Sequence, residues 1–327
     1  MLIFVASSAP WLKFLLSHLY ISVAAAIGAN VLYKLRTNKQ FRQLLKDARD
    51  DAASDDVRTF AAAATSRVVH ASHNRHYISR TLREELQLLT RVLQSPHVCL
   101  RTPIGHLIRR DPSSTAWSDS CLYAAGGFSV DMGFWWYIEW PPEVHKHTLI
   151  YRRNNKDGKL VSINVLEYAA LLINYAATTL YYLSHPDPSD PSPLVLFNAD
   201  NTAAESWMEK SCTSSLIGRA LGRLQCAMML NNPVFPYTGH VTTKQNAIAD
   251  AISRIRKETH SMRHFAHLTQ DYPALAGCKR FQPSADIISH IMAVISQKKF
   301  IDSLAVNKTL LKNPGQITSC PGATASS

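Results

Sequence analysis

The sequence predicts an α/β protein in which helices pack on both faces of a mixed five-stranded sheet. Three strand-like segments with short turns follow one another between Thr115 and Trp140, and the last is rich in aromatic residues. Two further apolar strands then alternate with helical patterns. The strands are Leu194–Asp200 and Val234–His240, and the helices are Ile163–Leu183, Leu216–Leu230 and Gln245–Arg256. The order βββαβαβα is typical of a mixed sheet that carries helices on its faces.

Helical patterns dominate the chain on either side of this region. A loop signal at Asp111-Pro112-Ser113-Ser114 precedes the first strand. We therefore expect a helical N-terminal segment over residues 1–110, an α/β domain over 111–256 and a helical C-terminal extension over 257–327. The extension ends in a tail of small residues that we expect to be disordered.

The stretch Phe14–Tyr33 has two interpretations. It consists of 20 residues without a formal charge, and a stretch of this length can span a bilayer. The bulky residues Trp11, Leu15 and Leu19 recur at helical spacing, as on one buried helix face. No basic residue precedes Lys13, which argues against a signal peptide. We favour a packed helix, and a membrane anchor stays open as the alternative.

Composition restricts the class of protein and its partners. Apolar residues make up 46% of the chain and charged residues 18%, which excludes a wholly disordered protein. Thirty-five Lys and Arg residues against 24 Asp and Glu give a formal charge of +11, typical of contact with phosphate groups or anionic lipid. None of the six cysteines forms a C-x-x-C pair. Reduced thiols in the cytoplasm or nucleus are the simplest explanation.

Four acidic residues of the α/β region stand at strand ends or in apolar runs. They are Asp119 in the first strand, Glu167 in the first helix, Asp200 at the end of the fourth strand and Asp250 in the last helix. A carboxylate in such a setting is costly unless it is paired or bound to a metal. Singly, each is compatible with a cap or a solvated side chain. Together they predict one shared cleft holding one or two Mg²⁺ ions, and we expect neither Glu167 nor Asp250 on the opposite face of the sheet.

Two motifs resemble the RNase H domain of retrotransposon reverse transcriptases. Residues 200–207 read D-N-T-A-A-E-S-W and match the family pattern DNT-x-A-x-x-W. Residues 240–254 read H-V-T-T-K-Q-N-A-I-A-D-A-I-S-R and resemble H-x-x-G-K-x-N-x-x-A-D-x-x-S-R, with Thr243 in place of the family glycine. Asp119, followed by Gly126-Gly127, fits the family's first motif loosely.

The resemblance implies an Mg²⁺-dependent endoribonuclease that hydrolyses the RNA strand of RNA–DNA hybrids with two Mg²⁺ or Mn²⁺ ions. It implies that Asp119 bridges both ions, that Asp250 completes the ion on the side of the attacking water, and that Glu167 and Asp200 hold the other. It makes His240 a proton shuttle or an aid to product release. The residues expected to contact nucleic acid are Lys210, Arg219, Arg223, Lys244, Asn246 and Arg254.

The chain lacks the aromatic-x-Asp-Asp turn of a polymerase palm. Its Asp-Asp pairs, Asp50-Asp51 and Asp55-Asp56, lie on a charged helical pattern. We therefore interpret it as part of, or a gene derived from, a reverse transcriptase polyprotein, whose remainder is a candidate partner. An alternative from another class is a catalytically inactive RNase H-like module that binds nucleic acid or protein.

Overall fold

The computed structural model of the chain describes residues 110–145, 148, 161–210, 213, 215–230, 232–255, 261–283, 285–296 and 315–318, with short stretches between 43 and 94. The chain divides into two compact units, Leu15–Gln94 and the combination of Met1–Phe14 with Ser95–Ser327. In the first unit, the described positions within 55–62 and 83–94 are helical, as their patterns predict.

The second unit is an α/β structure. Its strands are β1 (Ser114–Ser120), β2 (Ala124–Ser129), β3 (Phe134–Glu139), β4 (Leu194–Ala199), β5 (Phe235–His240), β6 (Lys279–Pro283) and β7 (Gly315–Thr318). Its helices are α1 (Ile163–Ser184), α2 (Thr202–Lys210), α3 (Leu216–Met229), α4 (Ala247–Ser253), α5 (Ser261–Asp271) and α6 (Ala285–Ile295), with a 3₁₀ turn at Pro273–Leu275. β4 and β5 follow the predicted bounds to within one residue, and β1 to β3 occupy the predicted stretch from Thr115 to Trp140 to within one residue.

All described strands form one mixed sheet in the order β5-β4-β1-β2-β3-β6-β7. β1 is antiparallel to β2 and parallel to β4, and β4 is parallel to β5. The prediction of five strands is wrong, because β6 and β7 extend the sheet beyond β3. Both are short, and Lys-Arg-Phe-Gln-Pro and Gly-Gln-Ile-Thr lack the apolar alternation that identifies a strand from sequence.

The predicted domain boundary after residue 256 falls inside the second unit. β6 pairs in parallel with β3 through Phe134 and Trp135. Phe265 of α5 stacks on Trp135 with ring centroids 3.7 Å apart. The C-terminal extension therefore contributes both a strand and core side chains to the α/β unit.

Two adjacent tryptophans of β3 identify the two faces of the sheet. Trp135 belongs to a buried cluster with Ile252 of α4. The indole N–H of Trp136 donates to Asn174 of α1 at 3.0 Å. Because successive side chains of a strand point to opposite faces, α1 and α4 cover opposite faces of the sheet.

Helix α1 is the central helix of the first face. Every residue from 165 to 179 along it is buried, as its almost continuous apolar sequence predicts. Within the described residues, no helix is long and apolar enough to cross a membrane. The stretch Phe14–Tyr33 lies outside the described residues.

Helix α4 lies unusually close to β2, and Gly126 permits that approach. A Cβ atom at Gly126 would meet the Ile252 side chain and lie 2.9 Å from the backbone nitrogen of Ser253. Such a distance is too short for a real side-chain atom, so α4 would have to move away from the sheet.

We expect Gly126→Ala to lower the free energy of unfolding by about 1–3 kcal/mol, the usual cost of overpacking a filled core. Urea denaturation would measure it. Gly277→Ala is the matched control, since a Cβ there meets no described atom within 4 Å. Equal stability of the two variants would contradict the close approach of α4.

Candidate metal centre

Three carboxylates converge where two parallel strands end. Asp119 is the penultimate residue of β1, and Asp200 directly follows β4. The register pairs Trp117 with Asn198, so its continuation places Asp119 beside Asp200. Glu167, in the second turn of α1, joins them. One carboxylate oxygen from each of the three lies within 4.8 Å of the others, so the described residues contain an acidic cluster that could hold a metal ion.

Burial makes this cluster unfavourable without a cation. Asp119 is 4% exposed and Glu167 is 5% exposed. Burial raises the pKa of Asp119 to about 6, and the nearby charges of Asp200 and Asp250 act in the same direction. A hydrogen bond from Ser253 and the charge of Arg254 lower the pKa and offset part of this rise. Burial, followed by the charges of Asp119 and Asp200, raises the pKa of Glu167 well above its ordinary value.

One oxygen of the cluster has no protein partner. Glu167 Oε2 is buried and accepts no hydrogen bond from any described residue, although the backbone of Ser120 bonds the same carboxyl group. An unpaired buried carboxylate oxygen is costly. A divalent cation with oxygen ligands would satisfy it and relieve the repulsion among the three side chains.

Asp250 lies at the edge of the cluster. It belongs to α4, it raises the pKa of Asp119 by its charge, and it forms an ion pair with Arg254 one turn later. Asp250 is outside the group of three whose oxygens lie within 4.8 Å. The fourth carboxylate is therefore already paired with a side-chain cation.

Two buried hydrogen bonds attach α4 to the carboxyl end of β1. The hydroxyl of Ser253 donates to Asp119 Oδ2 at 2.6 Å. The amide of Asn246 donates to the carbonyl of Ser118 at 3.1 Å. Asn246 is fully buried, so the prediction that it contacts nucleic acid is wrong: its side chain is enclosed between α4 and β1.

An open cavity of about 910 Å³ contains the site, and all four predicted carboxylates line it. The shared cleft is therefore present. We expected neither Glu167 nor Asp250 on the opposite face of the sheet. This expectation is wrong, because the helices that carry them, α1 and α4, cover opposite faces. Glu167 and Asp250 nevertheless line one cavity, since Asp119 and Asp200 lie at the strand ends, where both faces are accessible. The other lining residues are Ser120, Cys121, Leu122, Tyr123, His145, Thr148, Ile163, Thr243, Ser253 and Arg254.

His240 does not belong to this lining among the described residues. It is the exposed last residue of β5. It pairs with Ala199, directly before Asp200. His145 lines the cavity instead, and its Pro-Pro-Glu-Val-His context after β3 carries no catalytic pattern that the sequence could have revealed.

The predicted basic contacts lie at different distances from the cavity. Arg254 lines it, and exposed Lys244 follows the lining residue Thr243. Lys210 is the exposed last residue of α2, while Arg219 and Arg223 are partly exposed on α3. Arg254 is thus the one of these five side chains that lines the cavity, and Lys244 is adjacent in sequence to a lining residue.

No protein-family model, no curated protein and no solved structure matches the chain. The fold and the acidic cluster therefore carry the functional argument, together with the sequence motifs.

Ser253, which donates a hydrogen bond to Asp119, was not predicted as a site residue, although it lies inside the second motif. We expect Ser253→Ala to weaken Mn²⁺ binding about five- to tenfold, because Asp119 loses the hydrogen bond that fixes one of its oxygens. Hydrogen bonds to charged groups contribute more than those between neutral groups. Isothermal titration calorimetry would measure the affinity.

Ser118→Ala is the matched control for this prediction. Ser118 is buried beside Asp119, and its hydroxyl has no partner within the described part of the chain. Its removal should leave Mn²⁺ affinity unchanged. If both variants bind Mn²⁺ as the parent does, Ser253 does not position Asp119.

Proposed function

We propose that the chain is an Mg²⁺-dependent endoribonuclease that hydrolyses the RNA strand of RNA–DNA hybrids, and that it derives from a retroelement reverse transcriptase. The observation that carries the proposal is the convergence of Asp119, Glu167 and Asp200 within 4.8 Å at one edge of the sheet. Hydrolysis of a phosphodiester by divalent ions needs such a set of oxygen ligands in an accessible cleft.

The residues present fit Mg²⁺ or Mn²⁺. The donors are carboxylates, which these hard cations prefer, and a cation at the cluster would satisfy the buried Glu167 Oε2, which has no hydrogen-bond partner among the described residues. Asp119, Glu167 and Asp200 would hold one ion, and Asp119 with Asp250 would hold a second. When bound, such ions lower the pKa of water and neutralise charge that develops on the phosphate oxygens.

The chain's own residues have distinct roles in this proposal. Ser253 holds Asp119 through the 2.6 Å hydrogen bond. Arg254 pairs with Asp250 in the cavity wall and supplies positive charge where a phosphate would enter. Water attacks phosphorus in line with the leaving 3′-oxygen, the bond to that oxygen breaks, and the products carry a 5′-phosphate and a 3′-hydroxyl.

The sequence motifs support an RNase H-like interpretation of the fold. The D-N-T-A-A-E-S-W motif begins directly after β4 and continues into α2. The second motif runs from the last residue of β5 through α4 to Arg254. The two motifs thus contain Asp200 and Asp250, and the order βββαβααβα from β1 to α4 supports the resemblance.

The excess positive charge supports a nucleic-acid substrate. The formal charge of +11 coexists with a strongly acidic cleft, as a metal-dependent enzyme acting on a polyanion requires. Among the predicted basic contacts, Arg254 lines that cleft and Lys244 directly follows the lining residue Thr243. Hybrid binding should fall steeply with salt, because such contacts release counterions from the phosphates.

The test is cleavage of an RNA–DNA hybrid by the full chain, used whole because β6 belongs to the sheet. We expect the labelled RNA strand to be cut with Mg²⁺ or Mn²⁺ and to stay intact with chelator. The DNA strand and an RNA–RNA duplex serve as substrate controls. Hybrid binding without cleavage, across metals and pH, would instead favour the inactive binding module.

A further inference from the structure

The ion pair between Asp250 and Arg254 places a side-chain cation inside the cleft. Asp250 lies on α4, and Arg254 follows one helical turn later, at the end of that helix. The guanidinium of Arg254 contacts a carboxylate oxygen of Asp250, and both side chains line the cavity. The protein thus supplies some of the positive charge that balances this carboxylate.

Both ends of α4 are attached to the strand that carries Asp119. Before the helix, the amide of Asn246 donates to the carbonyl of Ser118 at 3.1 Å. At its end, the hydroxyl of Ser253 donates to Asp119 at 2.6 Å, and the Ser253 carbonyl accepts from the thiol of Cys121 at 3.3 Å. The backbone under the ion pair is therefore held against β1, so the pair can separate by movement of side chains alone.

Arg254 is the partner that is able to move. Its side chain is 50% exposed, against 26% for Asp250. An exposed ion pair contributes little to stability, because water solvates the charges and a long side chain loses conformational freedom when it pairs. The planar guanidinium binds phosphate in bidentate fashion, as it binds a carboxylate. A phosphate in the cavity would therefore compete with Asp250 for Arg254.

This pair bears on the second metal ion of the proposed function, which Asp119 and Asp250 would hold. The guanidinium of Arg254 occupies an oxygen of Asp250, and its positive charge repels a divalent cation at the same carboxylate. Loss of the pair would remove both effects. The affinity of the cleft for the second ion should thus depend on where the guanidinium lies.

We propose that Arg254 couples the binding of the substrate phosphate to the binding of the second metal ion. When Arg254 pairs with Asp250, it weakens the site of that ion. When it pairs with a phosphate of the hybrid, it leaves Asp250 available to the ion. Arg254 is thus a positioning residue that acts on the ion through Asp250, and the coupling is reciprocal, because the second ion favours phosphate binding to the same extent. This inference rests on the proposed function, which supplies both the second ion and the phosphate.

The experiment measures Mn²⁺ binding to the full chain by isothermal titration calorimetry, first without nucleic acid. We expect Arg254→Gln to bind the second Mn²⁺ about two- to fivefold more tightly than the parent, the range for an exposed ion pair. Arg254→Lys should resemble the parent, because an ammonium group can pair at the same i,i+4 spacing. In the Asp250→Asn background, Arg254→Gln should leave Mn²⁺ binding unchanged, because no carboxylate remains at that position for the guanidinium to occupy.

A second titration adds a hybrid whose RNA strand cannot be hydrolysed, because a methylene group replaces each leaving 3′-oxygen. With this hybrid bound, the parent and Arg254→Gln should bind the second Mn²⁺ with equal affinity, since the phosphate has drawn the guanidinium away from Asp250 in the parent. Hybrid binding itself should be weaker in Arg254→Gln, which loses one phosphate contact.

Equal affinities of the parent and Arg254→Gln for the second Mn²⁺ without hybrid, or the same gain in the Asp250→Asn background, would overturn the coupling and leave the nuclease proposal intact. A parent that takes up a single Mn²⁺ with and without hybrid would also overturn it. Cleavage of an ordinary hybrid tests the nuclease separately: a parent that never cuts would overturn that proposal, while the titrations would still decide the exchange at Asp250. Melting temperatures check that the variants are folded, which the exposed side chain of Arg254 favours.

Discussion

Asp200→Asn is expected to reduce cleavage of the RNA strand by at least about a thousandfold, which corresponds to about 4 kcal/mol of transition-state stabilisation. Asp200 is one of the three carboxylates within 4.8 Å. The amide keeps the shape of the side chain but loses the negative charge that attracts a divalent ion. Initial rates on a labelled hybrid at saturating Mg²⁺ would measure the loss.

Hybrid binding should survive this substitution or become tighter. It depends on Lys and Arg contacts with phosphate, and one negative charge fewer in the cleft reduces repulsion of the polyanion. Asp187→Asn, in the exposed loop before β4, is the control and should retain the parent's rate. A cleavage rate for Asp200→Asn within tenfold of the parent would exclude Asp200 as an essential ligand.

The second large effect is a loss of stability with rising pH when no divalent cation is present. The pKa of Asp119 is about 6 in the folded chain against an ordinary 3.8. The folded state thus binds this proton more tightly than the unfolded state does. The stabilising contribution is complete below about pH 4 and is lost as the pH rises to about 6, a decrease of about 3 kcal/mol in the free energy of unfolding.

Glu167 acts in the same direction and extends the decrease to higher pH, because burial and neighbouring carboxylates raise its pKa well above the ordinary value. Urea denaturation in chelator at a series of pH values would measure the total slope. Asp119→Asn should remove the part that belongs to Asp119, and millimolar Mg²⁺ should restore the stability of the parent near pH 7. Identical pH profiles for parent and Asp119→Asn would contradict this account.

The sequence could locate the first five strands because each has a local signal. The aromatic run Phe134–Glu139 and the continuous apolar run Leu194–Ala199 are both bounded by turn residues. β6 and β7 have no such signal, since their strand state comes from pairing with β3 and with each other. Pairing of this kind is a tertiary property that no local pattern contains.

The acidic residues were predictable for a related reason. A carboxylate in an apolar run is conspicuous because its burial must be compensated, and Glu167 is the clearest example. The hydrogen bond from Ser253 to Asp119 joins residues 134 positions apart, and a serine in a helix has many ordinary explanations. Asn246 was misassigned because sequence does not distinguish a buried amide from an exposed one.

The pairing of β6 with β3 also determines where the chain can be divided. Without residues after 256, β3 would stay paired with β2 but lose β6 on its other side. Trp135 would lose both the stacked Phe265 ring and the Arg280 guanidinium, which lies 5.7 Å from the centroid of the Trp135 ring. An aromatic strand with unpaired backbone groups is a template for edge-to-edge association. During synthesis, this edge of β3 stays unpaired until residues 279–283 have left the ribosome.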